Sequence, residues 1–425
     1  MSDRSPLAGV PDAPVDDVPE VDPGDVGLDA ARLARVGEHL AGYVDDGRLP
    51  GWSVLVARGG RVAYAAHYGM RDVEAGLPVE ADTIWRIFSM TKPIVSVAAL
   101  LLYEEGRFEL TDPLARYLPA FAEPRVFTGG TPIRPATRPA TTPITVRHLL
   151  THTSGLTYGF HRVDPVDSIY RHAGYEFGVP RGVDLEAATA AWAGFPLVCE
   201  PGSAWNYSVS TDVLGRLVEV VAGQPLDAFL AERVLGPLGM ADTGFGVPPE
   251  KLHRLAAMYS PSFPGGRVAR NDAFGRLGHN PRPRFLSGGG GLVSTTGDYH
   301  RFTRFLAGGG ELAGVRLLGP RTVSLMTSNH LPGGADLASF GRRVFAETRY
   351  TGFGFGLGVA VVVDPVATGT LTSPGEFGWG GLASTAFWVA PAEELAVVLM
   401  TQLTPSDTYP LRSLLRQLVY AAIVD

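Results

Sequence analysis

The chain has 425 residues, 45% of them apolar and 19% charged, which is material for one large domain with an insertion or for two or three ordinary ones and excludes disorder along the whole length. Basic side chains number 36 against 43 acidic ones, a net charge of −7 with no basic stripe, so a nucleic-acid backbone finds no electrostatic footprint. The single cysteine, Cys199, excludes an internal disulfide and reads as a small buried residue in a reducing compartment.

The first 25 residues carry Pro6, Pro11, Pro14, Pro19 and Pro23 among Asp and Val. They lack the basic start and apolar run of a secretory signal and read as a disordered or draped arm. No apolar run approaches the roughly 20 residues that cross a bilayer, so a soluble cytoplasmic protein without a membrane partner is expected. From Leu28 to Val44 the spacing of Leu33, Val36, Leu40 and Val44 predicts a surface helix closing at Gly47. Trp52 to Ala57 and Val62 to His67 read as strands of a hairpin, with Gly59 and Gly60 supplying the positive φ of its turn.

Between Pro124 and Pro143 proline is too dense for a helix or central strand, and Ser260 to Arg284 is also irregular. Both are expected to be long surface loops. Val146 to Leu150, Leu185 to Ala193, Thr211 to Ala222 and Leu226 to Val234 read as short helices. At the far end, Thr385 to Val389 and Leu395 to Thr401 read as strands around a Pro-Ala-Glu-Glu turn, followed by an amphipathic helix from Leu411 to Val424. The expected organisation is an α+β domain, its antiparallel sheet flanked by helices and built from both chain ends. Residues 26–112 and 268–425 supply that domain, and 113–267 form a mainly helical insertion.

Of the 36 basic residues only Lys92 and Lys251 are lysine. Lys251 lies in polar surroundings, whereas Lys92 opens a run, Pro93 to Leu102, that is apolar on nearly all sides and reads as a buried helix. Arginine stays protonated, while a desolvated lysine can exchange a proton, so lysine at this place points to proton chemistry. Ser89 stands three residues earlier, on the same helix face. Pro93 keeps the regular helix from starting far upstream, which sets Ser89 at the positive end of the helix dipole, where an oxyanion is stabilised. Ser89-Met90-Thr91-Lys92 is thus a Ser-x-x-Lys nucleophile motif.

Other signals do not compete. His148 and His152 have zinc-helix spacing, but Leu149 occupies the position of the glutamate a metalloprotease needs. The alternating Gly352, Gly354, Gly356 and Gly358 are not a dinucleotide turn, and no Gly-x-Ser-x-Gly elbow is present. No metal or cofactor is expected.

With Leu149 to Leu156, Pro201 to Ser208, Ser287 to Leu292 and Gly378-Trp379-Gly380-Gly381 in the same order, the chain from about Leu28 onward resembles the serine β-lactamase and penicillin-binding-protein superfamily. Within it, the chain is similar to the class C β-lactamase-like carboxylesterases called family VIII. The resemblance implies Ser89 as nucleophile, Lys92 as its activating partner and Tyr207 as the second-motif tyrosine, in a loop before a helix that Ser210 or Thr211 caps. It implies an oxyanion hole from the N–H groups of Ser89 and Leu382. Trp379, Gly380 and Gly381 would line the substrate site, the two glycines letting substrate approach the strand closely. Trp379-Gly380-Gly381 stands where β-lactamases carry Lys-Thr-Gly, and Val209 stands where they carry asparagine. Neutral esters are therefore the implied substrates, hydrolysed through an acyl-enzyme. Acyl transfer through the same intermediate, or hydrolysis of a β-lactam or D-amino-acid amide, is the alternative.

Overall fold

Gly59 and Gly60 take φ of 59° and 75° and close the first hairpin at the place the sequence predicts, between β1 (Gly51–Arg58) and β2 (Arg61–Asp72). The computed structural model describes residues 19–262, 266–342 and 350–425. The hairpin belongs to an eight-stranded antiparallel sheet completed by β3 (Leu77–Pro78), β4 (Phe353–Phe355), β5 (Ala360–Val362), β6 (Phe377–Gly380), β7 (Ala386–Ala390) and β8 (Leu395–Thr401). Its order is β4-β5-β6-β7-β8-β1-β2-β3. The last strand in sequence therefore lies beside the first, with Val54 opposite Leu399.

Alternation along β8 assigns the two faces. Leu395, Val397 and Leu399 join the cluster of Leu33, Val36 and Leu40 from α1 (Ala30–Asp45) and Leu415 and Val419 from the C-terminal helix Leu411–Tyr420. Ala396, Val398 and Met400 face the larger core, which holds the helix Thr91–Glu104 and the helix Thr296–Ala307. Helices thus cover both faces.

In chain order the further helices that frame the site are α2 (Thr91–Glu104), α3 (Val146–Leu150), α4 (Pro165–His172), α5 (Leu185–Ala193), α6 (Ser210–Ala222), α7 (Leu226–Leu230), α8 (Thr296–Ala307) and α9 (Leu411–Tyr420), and the short helices Asp272–Gly275, Pro320–Met326 and Leu337–Phe340 lie among them. Helices α3 to α7 lie between β3 and β4 in the chain. Every residue of α2 from Thr91 to Leu102 is buried, because α6, α7 and the turn Ala231–Leu235 pack against it. No helix among the described residues is long and apolar enough to cross a membrane.

Two expectations are corrected, and the N-terminal arm is described only in part. The proline-dense segment is a two-stranded ribbon, Arg125–Gly130 against Pro135–Pro139. Its prolines sit at the strand ends, Pro135 opposite Gly130 and Pro139 opposite Arg125, where no third strand asks for the missing N–H. The Ser260 to Arg284 region holds a short ribbon, Tyr259–Pro261 with Val268–Arg270, and a helical turn, Asp272–Gly275. Of the expected loose arm, residues 1–18 lie outside the described residues. The part from 19 to 25 is held: Glu20 donates its N–H to the Val62 carbonyl at 2.8 Å and its carboxylate accepts from Val62 N–H at 3.1 Å.

Candidate active site

A turn of 3-10 helix, Phe88–Met90, leads directly into α2. Phe88 takes φ of 43°, a conformation that costs a non-glycine residue energy and is held in place by surrounding structure. The turn presents Ser89, 8% exposed, at the floor of a cavity of about 370 Å³. One helical step onward Lys92, 1% exposed, donates to Ser89 Oγ at 3.2 Å and to the Gly289 carbonyl at 2.7 Å. Tyr207 hydrogen bonds Ser89 Oγ at 2.7 Å, and the Lys92 ammonium lies 4.5 Å from the centre of the Tyr207 ring. Three residues from α2, from its leading turn and from the loop before α6 therefore converge on one oxygen.

Tyr207 is held from all sides. Trp205 stacks on it at 6.0 Å, His152 lies 4.9 Å away and Tyr158 5.3 Å away, centre to centre. His161 Nε2 donates to the Tyr207 carbonyl at 2.6 Å. Burial holds His161 down to about 4 and keeps His152 well below the ordinary imidazole range. Both rings are thus neutral near pH 7 and add no second cation beside Lys92. Beyond Tyr207, the chain enters α6 with Val209 as the capping residue and no side-chain cap. The expected cap by Ser210 or Thr211 is absent because the Ser210 hydroxyl bonds Ser154 and Ser208, and Ser208 Oγ instead accepts the Ser210 N–H at 3.3 Å.

Leu382 lines the cavity together with Ser89, and so does Val209. Trp379, Gly380 and Gly381 do not. The Trp379 indole N–H reaches Tyr207 Oη at 3.4 Å, so this side chain backs the tyrosine. A Cβ on Gly380 would lie 2.4 Å from the Arg412 guanidinium carbon, and one on Gly381 would lie 2.3 Å from the Ile87 carbonyl oxygen. The two glycines therefore make room for protein atoms, not for the approach of substrate as expected. Arg412 donates to the Gly381 and Thr385 carbonyls at 2.7 and 2.9 Å and fixes the strand end that carries Leu382.

The cavity wall is largely aromatic. Tyr158 stacks on Phe160 at 4.6 Å, Phe160 on Phe177 at 5.4 Å, and Phe177 meets Phe274 edge-on at 5.3 Å. Trp192 and Phe285 continue this aromatic lining. These side chains come from the insertion and from the segment after Tyr259, and only the fold brings them together. Arg276, exposed, brings a cation to the cavity lining from a different loop than the one where β-lactamases carry lysine. Asp212 was also missed. It is 3% exposed and accepts from Ser287 Oγ at 2.6 Å and Gly289 N–H at 3.0 Å. Its signal in the sequence is faint: one acid on the buried face of a helix whose other charges, Arg216 and Glu219, pair with each other. His148, the other half of the apparent zinc pair, turns Nδ1 back to accept the Thr145 N–H at 3.2 Å.

An antiparallel sheet made from both chain ends, a helical insertion, and a serine at the head of a buried helix define the β-lactamase-like class of serine hydrolases. The chain belongs to the Beta-lactamase family, whose pattern it matches over residues 36–421. It is 36% identical to Esterase EstB of Burkholderia gladioli over 422 residues, covering 94% of this chain and 98% of that protein. It is 37% identical to Protein Rv1367c of Mycobacterium tuberculosis (strain ATCC 25618 / H37Rv) over 364 residues, 85% and 88% of the two chains. Among solved structures it is similar to EstCE1, a hydrolase with promiscuous acyltransferase activity, with a TM-score of 0.77 at 29% identity, covering 92% of this chain and 98% of that one. The family VIII resemblance read from the sequence agrees with these relatives.

Proposed function

We propose that the protein is a serine carboxylesterase that hydrolyses small to medium neutral esters through an acyl-enzyme on Ser89. The observation that carries this reading is the meeting of Tyr207 Oη, at 2.7 Å, and Lys92 Nζ, at 3.2 Å, on Ser89 Oγ at the floor of an aromatic cavity. Similarity to Esterase EstB supports ester substrates.

The adjacent Lys92 ammonium favours the phenolate of Tyr207, which takes the Ser89 proton. Ser89 Oγ then bonds to the ester carbonyl carbon, and the carbonyl oxygen becomes an anion facing the N–H groups of Ser89 and Leu382. When the intermediate collapses, the C–O bond to the alcohol breaks and Tyr207 returns the proton to the departing alkoxide. Water repeats the sequence on the acyl-enzyme: Tyr207 takes its proton, and Ser89 leaves protonated with release of the acid. The aromatic side chains of the wall and Val209 favour an apolar acyl or alcohol part. Cytoplasmic location is part of the proposal and rests on the single, free cysteine.

Transfer of the acyl group to an alcohol acceptor is the second reading, favoured by the promiscuous acyltransferase activity of EstCE1. Turnover of p-nitrophenyl esters of graded acyl length by wild type and Ser89→Ala, with and without an added alcohol, tests both. Loss of turnover in Ser89→Ala is expected, by at least about 10³-fold. Unchanged turnover overturns the assignment, and new ester formed with the added alcohol selects the transferase.

A further inference from the structure

The backbone of Gly289 is gripped on both sides of its Cα. Its carbonyl accepts from Lys92 Nζ at 2.7 Å and its N–H donates to Asp212 Oδ1 at 3.0 Å. Ser287 Oγ donates to the same carboxylate oxygen at 2.6 Å, so Asp212 holds the Ser287–Gly289 turn at two points. A Cβ at Gly289 would lie 2.5 Å from Asp212 Oδ2 and 2.9 Å from Tyr158 Oη. Glycine is what lets the turn press between these groups. Asp212 sits in the first turn of the 13-residue α6, where the helix dipole favours a carboxylate. Tyr207 lies on the strap just before that helix, so one element carries both the tyrosine and the acid.

We infer that Asp212 is a positioning residue for the Ser89 reaction, fixing the Gly289 carbonyl that aims Lys92 and balancing the Lys92 charge inside the closed site. The inference rests on the proposed function. The groups facing the pair are Lys92 from α2, Tyr207 before α6, the Tyr158 hydroxyl and the neutral rings of His152 and His161 from the segment after α3, and the Ser287 hydroxyl. Farther out, Glu176 is paired with Arg162, and Arg276 lines the cavity. Burial raises the Asp212 carboxyl above the usual range, while the Ser287 hydroxyl and the Lys92 ammonium pull it down. Acid and amine are thus electrostatically coupled.

Asp212→Asn keeps an acceptor oxygen for Ser287 and Gly289 but removes the charge. Ser287→Ala keeps the charge but removes one anchor. With a neutral p-nitrophenyl ester, Asp212→Asn is expected to lower kcat by on the order of 10- to 100-fold with KM within about threefold. The limb of the pH profile that reports the Lys92–Tyr207 pair moves down by about one unit. Ser287→Ala is expected to lower kcat about threefold to tenfold without moving that limb. A superimposable pH profile and wild-type kcat for Asp212→Asn overturn the inference. Should that variant not fold, as judged by circular dichroism, wild-type kcat in Ser287→Ala overturns it equally. Ser89→Ala in parallel separates the two claims: if it still turns over ester, the catalytic reading fails, whereas an inactive Ser89→Ala beside a fully normal Asp212→Asn removes only the role of Asp212.

Discussion

The indole N–H of Trp379 lies at the outer edge of hydrogen-bond range from the Tyr207 oxygen, 3.4 Å, while Ser89 Oγ is 2.7 Å from the same oxygen. These distances rank the two aromatic residues. Tyr207→Phe removes the proton acceptor and is expected to lower kcat by about 10²- to 10⁴-fold, the range of a general acid–base group. Trp379→Phe keeps an aromatic ring where the indole packs 5.5 Å from Tyr207 and 5.4 Å from Phe355 and loses one long hydrogen bond, so a loss of about threefold to tenfold in kcat is expected, with KM unchanged. Steady-state kinetics on one neutral ester read both. A rise in KM alone for Trp379→Phe contradicts its placement behind the tyrosine and returns it to the substrate wall.

At the scale of elements, the end of β6 decides whether Leu382 stays aimed at the cavity. A side chain at Gly381 meets the Ile87 carbonyl oxygen, which is backbone, just ahead of the turn that carries Ser89. A side chain at Gly380 meets the far end of Arg412, which can swing away. Gly381→Ala must therefore push strand and catalytic turn apart, whereas Gly380→Ala mainly displaces a guanidinium. Loss of about 10²-fold or more in kcat is expected for Gly381→Ala, against less than about tenfold for Gly380→Ala. Melting temperature falls in both, because Arg412 also ties Gly381 to Thr385 through their carbonyls. Equal kinetic effects would mean that the two glycines do the same job, against the geometry. The sequence alone led to a different reading, of two glycines opening space for substrate, since a strand carries no record of which neighbour leans on its flat face. Ser89 and Lys92 were legible because three residues along a helix is a local distance. Tyr207 needed the family resemblance, and the Asp212–Gly289–Lys92 chain was invisible because it joins α6, a glycine turn and α2 only after folding. Likewise the proline-dense ribbon could not be read, because proline excludes central strands but not the edge strand of a ribbon, here Pro135–Pro139, while its partner strand bonds Leu197 on the other side.

For the molecule as a whole, the pairing of β8 with β1 joins the two ends of the chain, and both patterns were plain in the sequence as hairpins of alternating residues. What the sheet then buries sets the response of the fold to acid. His152 and His161 lie beside Tyr207, and His300 lies on α8; all three are at least nine-tenths sequestered. Burial first of all keeps His161 at about 4, His300 at about 3 and His152 well below the usual range. In the unfolded chain each titrates near 6.5. Between about pH 6.5 and 4 the unfolded chain therefore takes up protons that the native one refuses, and stability falls as pH falls. Asp298 acts in the opposite sense. Burial raises it to about 6, so its native form holds a proton at low pH that the unfolded form releases above about 3.9, and its contribution is lost as pH rises through 6. Burial raises Asp167 and Asp212 as well, but it lowers six imidazoles, those of His148, His279 and His330 besides the three above, so the net expectation is a melting temperature that drops from pH 7 to pH 5, measured at one ionic strength. His300→Gln, remote from Ser89, is expected to flatten that decline while ester turnover at pH 7.5 stays at the wild-type level. A melting temperature independent of pH over this range would show that the buried rings accept protons in the native state, and the neutral surroundings argued for Lys92 and Tyr207 would fall with it.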